Sequence, residues 1–219
     1  MYLSRIQLNT HRRWTQWLLA SPQRVHAEVL NAFPDAPTGD RQGGPRVLWR
    51  LDEEGRKTLL YIVSPDRPDF AKLTEDAGWV TAPGEVKDYS LFLKRLETGS
   101  RWAFRLNANP VRYLQGPEST RGKRQAHVTV HHQEQWLADQ ADRCGFTVTA
   151  DDGTHRFSLT SRRTLRFTRG HAGRQVTVST ARFDGELMVT DADTFRRTLT
   201  AGVGPAKAYG CGLLTIARS

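Results

Sequence analysis

His26 closes the segment Ser21-Pro22-Gln23-Arg24-Val25-His26. Serine before proline is a helix-start pattern, with serine as the cap and proline at the first helical position. The helix is predicted to run to about Ala32, with Val25, Val29, Leu30 and Phe33 on its buried face. His26 then lies one turn in, at the edge of that face. A helix N-terminus disfavours the imidazolium there, so acid or base chemistry near neutral pH is open to it. A lone histidine reads first, however, as a partly buried ring satisfied by one hydrogen bond.

The second candidate is the stretch Gly202-Val203-Gly204-Pro205-Ala206-Lys207-Ala208-Tyr209-Gly210-Cys211-Gly212. Gly202, Gly204 and Gly210 mark a backbone that bends sharply or is closely approached. Successive N–H groups in such a loop form a concavity for anions, and Lys207 adds a positive charge. A long turn with glycines at its bends fits the same residues. The spacing is not that of a P-loop, because no Gly-Lys-Ser/Thr opens a helix here.

The third is the run from His155 to Arg174, with Arg156, Arg162, Arg163, Arg166 and Arg169 interleaved with apolar residues. No acidic residue falls between Arg156 and Arg182. A hairpin with such a face can neutralise phosphates in a nucleic-acid groove. The remaining histidines suggest no metal site: His127, His131 and His132 have no cysteine or carboxylate cluster at zinc-like spacing.

The balance of the chain supports a polyanionic partner. Of its 219 residues 32 are Lys or Arg against 23 Asp or Glu, a net charge of +9. Arginine supplies 26 of those cations and suits bidentate phosphate contact. Nucleic acid is therefore favoured over a membrane surface. No run approaches the ~20 apolar residues of a membrane helix. Cys144 and Cys211 lie in separate apolar segments, which suggests reduced thiols and a cytoplasmic protein.

These residues need elements to hold them. Alternation predicts a strand at 2–8, and strand-like runs predict two more at 46–52 and 57–64, with a hairpin turn at Asp52-Glu53-Glu54-Gly55. The stretch 11–17 reads as a connection and 34–45 as a loop. Helical patterns follow at Phe70/Leu73/Ala77 and Tyr89/Phe92/Leu93/Leu96, then a strand at 101–107. The order β-α-β-β-α-β is the ferredoxin-like plan. Residues 111–125 read as a basic linker carrying Lys123 and Arg124. The plan then repeats, with a strand at 126–130, a helix at 133–144, and strands at 146–150, 156–168, 174–183 and 186–190. A helix at 192–200 and a strand at 211–217 complete it. The expected fold is α+β, two tandem ferredoxin-like domains at 1–110 and 126–219.

At this point the residues resemble a known family. The C-terminal glycine-rich loop is similar to that of the repeat-associated RNA-binding superfamily. Ser21–His26, Leu48-Trp49-Arg50-Leu51, and Phe104–Pro110 with Gly122-Lys123-Arg124 narrow the likeness. Together they resemble the CRISPR repeat-processing endoribonucleases of type I-E systems, the CasE group. The resemblance implies cleavage of each repeat transcript at the base of its hairpin, without metal or other cofactor. It implies a 2′,3′-cyclic or 3′-phosphate end and a 5′-hydroxyl, retention of the product, and assembly with other Cascade subunits. No small-molecule substrate and no membrane enter. His26 falls on the family's catalytic histidine, as base to the 2′-hydroxyl or acid to the leaving 5′-oxygen. Gln23 stands where some members carry an assisting tyrosine, so Gln23, Arg24 or Lys207 is left to supply the second contribution. The 156–174 hairpin matches the element that enters the RNA major groove, and Arg121, Lys123 and Arg124 are expected along the flanking strand. A binding subunit that holds RNA without cutting it is the alternative. A ribosomal or RNA-chaperone protein is a third reading, from charge and fold alone.

Overall fold

The computed structural model describes residues 1–33, 46–114, 123–169 and 173–218. The predicted 34–45 loop, Gly116-Pro117, Arg121-Gly122 and His171 lie outside them.

The first half is built from β1 (Tyr2–Leu8), α1 (Arg13–Leu19), α2 (Pro22–Asn31), β2 (Leu48–Glu54), β3 (Lys57–Ser64), α3 (Ala71–Ala77) and β4 (Glu85–Asp88). The four strands form one antiparallel sheet in the order β2-β3-β1-β4. That order is the ferredoxin-like arrangement. One face buries Ile6, Leu8, Trp49 and Ile62 against Leu18, Val25 and Val29 of the helices.

A short helix, α4 (Ser90–Lys94), leads to the second half. This comprises β5 (Arg101–Ala108), β6 (Val111–Leu114), β7 (Lys123–Ala126), α5 (Val130–Arg143), β8 (Phe146–Thr147), β9 (Phe157–Arg169), β10 (Arg174–Val189), α6 (Ala192–Ala201) and β11 (Leu214–Ala217). Its main sheet runs β11-β5-β10-β8, with β9 on the β8 edge of β10. With β8 and β9 taken as one interrupted edge, this is the same strand order again, so the expected tandem ferredoxin-like fold is present. Leu48 and Val63 of the first sheet are buried with Leu106, Phe183 and Leu214 of the second, so the two halves share a core. Among the described residues no helix is long and apolar enough to cross a membrane.

Four expectations are corrected. The strand at 101–107 does not close the first sheet: β5 lies between β10 and β11 of the second. Its buried residues Phe104, Leu106 and Ala108 join the second core. The first sheet is closed instead by β4, a short edge strand whose Glu85, Lys87 and Asp88 leave little apolar pattern to detect. The change of sheet therefore falls between Asp88 and Arg101, upstream of residue 110. Second, the strand expected at 126–130 is replaced by β7, which ends at Ala126 and among the described residues pairs only with β6. Thr129 caps α5 by accepting the His132 N–H, so Val130 is already helical and His131-His132 lie inside the first turn. Third, residues 13–19 form α1, whose Thr15 and Leu18 alone are buried, too few to show a period. Fourth, β10 is one strand, not two. Gly185 does not break it; a Cβ there would lie 2.4 Å from the Arg156 carbonyl oxygen, so glycine permits a close strand approach.

Candidate active site

α2 opens at the expected residues, with Ser21 extended and Pro22 in the first helical position, although the Ser21 side chain makes no capping hydrogen bond. Val25 and Val29 anchor it on the sheet, which leaves His26 half-buried at the margin of the apolar face. Beneath it lies Trp49 of β2, only 2% exposed. The indole N–H donates to Nδ1 of His26 at 3.3 Å. A neutral ring that accepts at Nδ1 carries its proton on Nε2. Burial pushes the His26 pKa below its ordinary value, so that neutral tautomer dominates at neutral pH.

The glycine-rich loop closes over the same indole. α6 ends at Gly202, with φ 78°, and Gly204 and Gly210 also have positive φ. A Cβ on Gly210 would lie 2.7 Å from the Trp49 ring, and one on Gly204 2.8 Å from Trp136. These two positions require glycine for both contact and φ. Ala206 adopts φ 62°, the one positive φ outside glycine among the described residues. Such strain is retained where surrounding bonds over-determine the backbone. Here the Ala206 carbonyl accepts from the Tyr209 N–H at 2.9 Å, and Asn107 pins the end of the loop: its side chain donates to the Gly210 carbonyl at 3.1 Å, and its carbonyl accepts from the Gly212 N–H at 2.7 Å. Lys207 bends back to donate to the Gly204 carbonyl at 2.6 Å.

The loop, the α1–α2 junction and the long β9–β10 hairpin enclose a cleft of about 270 Å³. Leu19, Ala20 and Val25 line one wall, Trp49 and Tyr209 the floor, and Arg163, Arg166 and Arg182 the other wall. Tyr209 meets Phe167 of β9 edge-on, with ring centroids 4.8 Å apart, which ties loop to hairpin. At its mouth Arg163 pairs with Glu53 at 3.1 Å; both are exposed.

The wall beneath is fixed by Arg50, 2% exposed. It makes two bonds to Asp52 at 2.9 and 2.8 Å, and donates to the carbonyls of Arg105 and Leu213, both at 2.9 Å, and to Thr215 at 2.8 Å. Burial alone would raise the Asp52 pKa, but the bonds and charge of Arg50 outweigh it and hold the carboxyl below its ordinary value. One first-sheet side chain thus binds β5, β11 and the end of the glycine loop.

The structure brings Gly210, Arg163 and Arg166 to one cleft, and His26 joins it through the Trp49 indole and is not itself among the lining residues. The structure does not bring every expected residue to them. Gln23 keeps its side-chain oxygen buried, with no hydrogen-bond partner among the described residues. Arg24 turns to α1, where its guanidinium lies over the Trp17 ring. Arg162 donates to the Val128 carbonyl beside α5. Arg156 is paired with Glu186 at 3.1 Å. Lys123 and Arg124 lie on the separate β6–β7 ribbon, with Arg124 over Tyr113, and Arg169 ends β9 opposite Arg174. Among the described residues no cluster of His, Cys, Asp or Glu is arranged to hold a metal. Trp49, Asn107 and Arg182 carry site roles that no spacing announces. Leu48, Trp49 and Arg50 are consecutive buried residues, so β2 shows no alternation to single out the indole.

The chain matches the family described as CRISPR associated protein over residues 1–218. It is 30% identical over 223 residues to the CRISPR-associated endoribonuclease Cse3 of Thermus thermophilus, covering 99% of this chain and 100% of that one. It is 27% identical over 221 residues to the CRISPR system Cascade subunit CasE of Escherichia coli, covering 99% of each. A solved structure of Cse3 bound to a 19-nucleotide RNA superposes with a TM-score of 0.82 at 29% identity, covering 99% of this chain and all of that one.

Proposed function

The chain belongs to the CRISPR-associated protein family, and we propose from that premise that it is the endoribonuclease that cuts CRISPR repeat hairpins from precursor transcripts. The full-length similarity to a relative named as a CRISPR-associated endoribonuclease carries the reading. The RNA supplies the nucleophile, the 2′-hydroxyl beside the scissile phosphate, and no metal takes part. The products are a 2′,3′-cyclic or 3′-phosphate and a 5′-hydroxyl. The protein works in the cytoplasm, stays on the cut hairpin and joins other Cascade subunits, as the name of the Escherichia coli relative suggests.

His26 is the catalytic residue. With Nδ1 occupied by the Trp49 indole, its open side presents Nε2–H, a donor. That favours a place facing the leaving 5′-oxygen over one accepting the 2′-hydroxyl proton. Delivering a full proton requires the imidazolium, which both burial and the Trp49 N–H disfavour. The active fraction at neutral pH is then small and turnover slow, which suits an enzyme that retains its product. Gln23 cannot titrate, and its buried oxygen takes no part, so no second titrating group is assigned. Arg163 and Arg166 neutralise phosphates along the cleft wall, and the glycine loop passes close to the scissile group.

The test is a synthetic repeat hairpin incubated in excess EDTA with wild type and with His26→Ala. Cutting at one site by wild type alone, leaving a 5′-hydroxyl, is expected, with the variant reduced by ~10²–10⁴-fold. Tight binding with no cutting by either protein moves the chain to the binding-subunit reading.

A further inference from the structure

α1 carries two large aromatic rings on its solvent side. Trp14 and Trp17, three residues apart, are 41% and 46% exposed while Thr15 and Leu18 face inward. Their rings stack with centroids 4.5 Å apart at 25°. The Arg24 guanidinium lies 4.3 Å from the Trp17 centroid and is held there by a 2.8 Å bond to the Trp17 carbonyl. Arg24, Trp17 and Trp14 thus form a row, with Trp14 at its open end and the exposed Arg13 beside it. Leu19 and Ala20, which follow directly in the chain, line the cleft.

Two exposed tryptophans are costly to leave in water and are not explained by the core. Stacked indoles capped by a guanidinium are the arrangement that receives a nucleobase face, whatever its identity, while neighbouring arginines take the backbone charge. The patch adjoins the cleft, and the chain's charge of +9 favours an anionic strand over a protein face.

Resting on the repeat-RNA reading above, we infer that Trp14 and Trp17 form a stacking platform for an unpaired nucleotide that adjoins the hairpin stem. It is a subsite separate from the cleavage cleft. It holds single-stranded flank, takes purines and pyrimidines alike, and adds affinity without altering the chemistry.

The test measures affinity for three uncleavable RNAs, each with a 2′-deoxy residue at the scissile position: the bare hairpin, and the hairpin with a single-stranded extension on either its 5′ or its 3′ side. Trp14→Ala should weaken binding to one extended RNA by roughly 5- to 150-fold, the range of one lost base stack. It should leave the bare hairpin unchanged, and Trp14→Phe should restore most of the loss. An equal effect on all three RNAs, or none, overturns the platform. Unchanged RNA affinity with lost assembly into the multisubunit complex assigns the patch to protein docking and overturns it as well. Failure of wild type to prefer the hairpin over unrelated RNA would instead remove the underlying functional reading. Identical thermal melts of variant and wild type exclude misfolding.

Discussion

Trp49 donates its indole hydrogen to Nδ1 of His26 across 3.3 Å, while the face of the same ring packs against Gly210. One buried side chain therefore joins the histidine of the first half to the glycine loop of the second. Trp49→Phe keeps an aromatic side chain, though a smaller one, and removes the donor. Nδ1 is then free to take a proton, and the His26 pKa should rise toward the ordinary value of about 6.5. The expected result is a titration of the His26 imidazole, followed by nitrogen NMR, at higher pH in the variant. The high-pH limb of the cleavage profile should move up with it. Titration at the same pH in both proteins would deny the indole this role.

Gly210→Ala should damage cleavage more than it damages the fold. A Cβ there meets the Trp49 ring at 2.7 Å in a backbone with φ 77°. Gly55, with φ 60° and open space around it, is the control. Both alanines carry a left-handed penalty of about 1–2 kcal/mol. Only Gly210→Ala should also displace the indole and slow single-turnover cleavage. Equal cleavage rates in the two variants would contradict this.

Asp52→Asn leaves the Arg50 guanidinium buried without its carboxylate. Breaking a buried pair in this way costs about 3–5 kcal/mol, readable by denaturant unfolding at pH 7. The Asp52 pKa is lowered in the fold, so its contribution is present above the unfolded value of about 3.9 and is lost as pH falls through the folded one. The gap between wild type and variant should thus narrow below about pH 4. A gap that stays constant through that range would show that the charge of Asp52 does not supply the stability.

Arg166→Ala and Arg163→Ala should differ in binding. Arg166 has no ion-pair partner among the described residues, whereas Arg163 already pairs with Glu53. Losing one phosphate contact lowers the slope of log affinity against log salt by about 1. That full change is expected for Arg166→Ala and a smaller one for Arg163→Ala. Flat slopes in both would take the hairpin wall out of the RNA interface.

Much of this was legible in the residues. The β9–β10 hairpin shows as strand-like runs on either side of Gly170–Gly173, with β10 read as two strands, and Ser21-Pro22 marks the start of α2. β5 is found as a strand but with the wrong partners, because alternation reports which side of a strand is buried and not which strand lies beside it. The same limit applies at His26. Its place one turn into α2 follows from local signals, but Trp49 and Gly210 reach it only through sheet pairing and helix return. Arg24 shows the converse: a cation in the expected motif, engaged by a neighbouring indole.

The central position of β5 has a consequence during synthesis. Its outer neighbour β11 is residues 214–217, and the loop that roofs the cleft lies just before it. A nascent chain can complete the first sheet once Asp88 has emerged, but β5 waits more than a hundred residues for that partner. The site that would cut RNA is therefore assembled only once β11 has emerged, and a ribosome stalled before it leaves an inert first half.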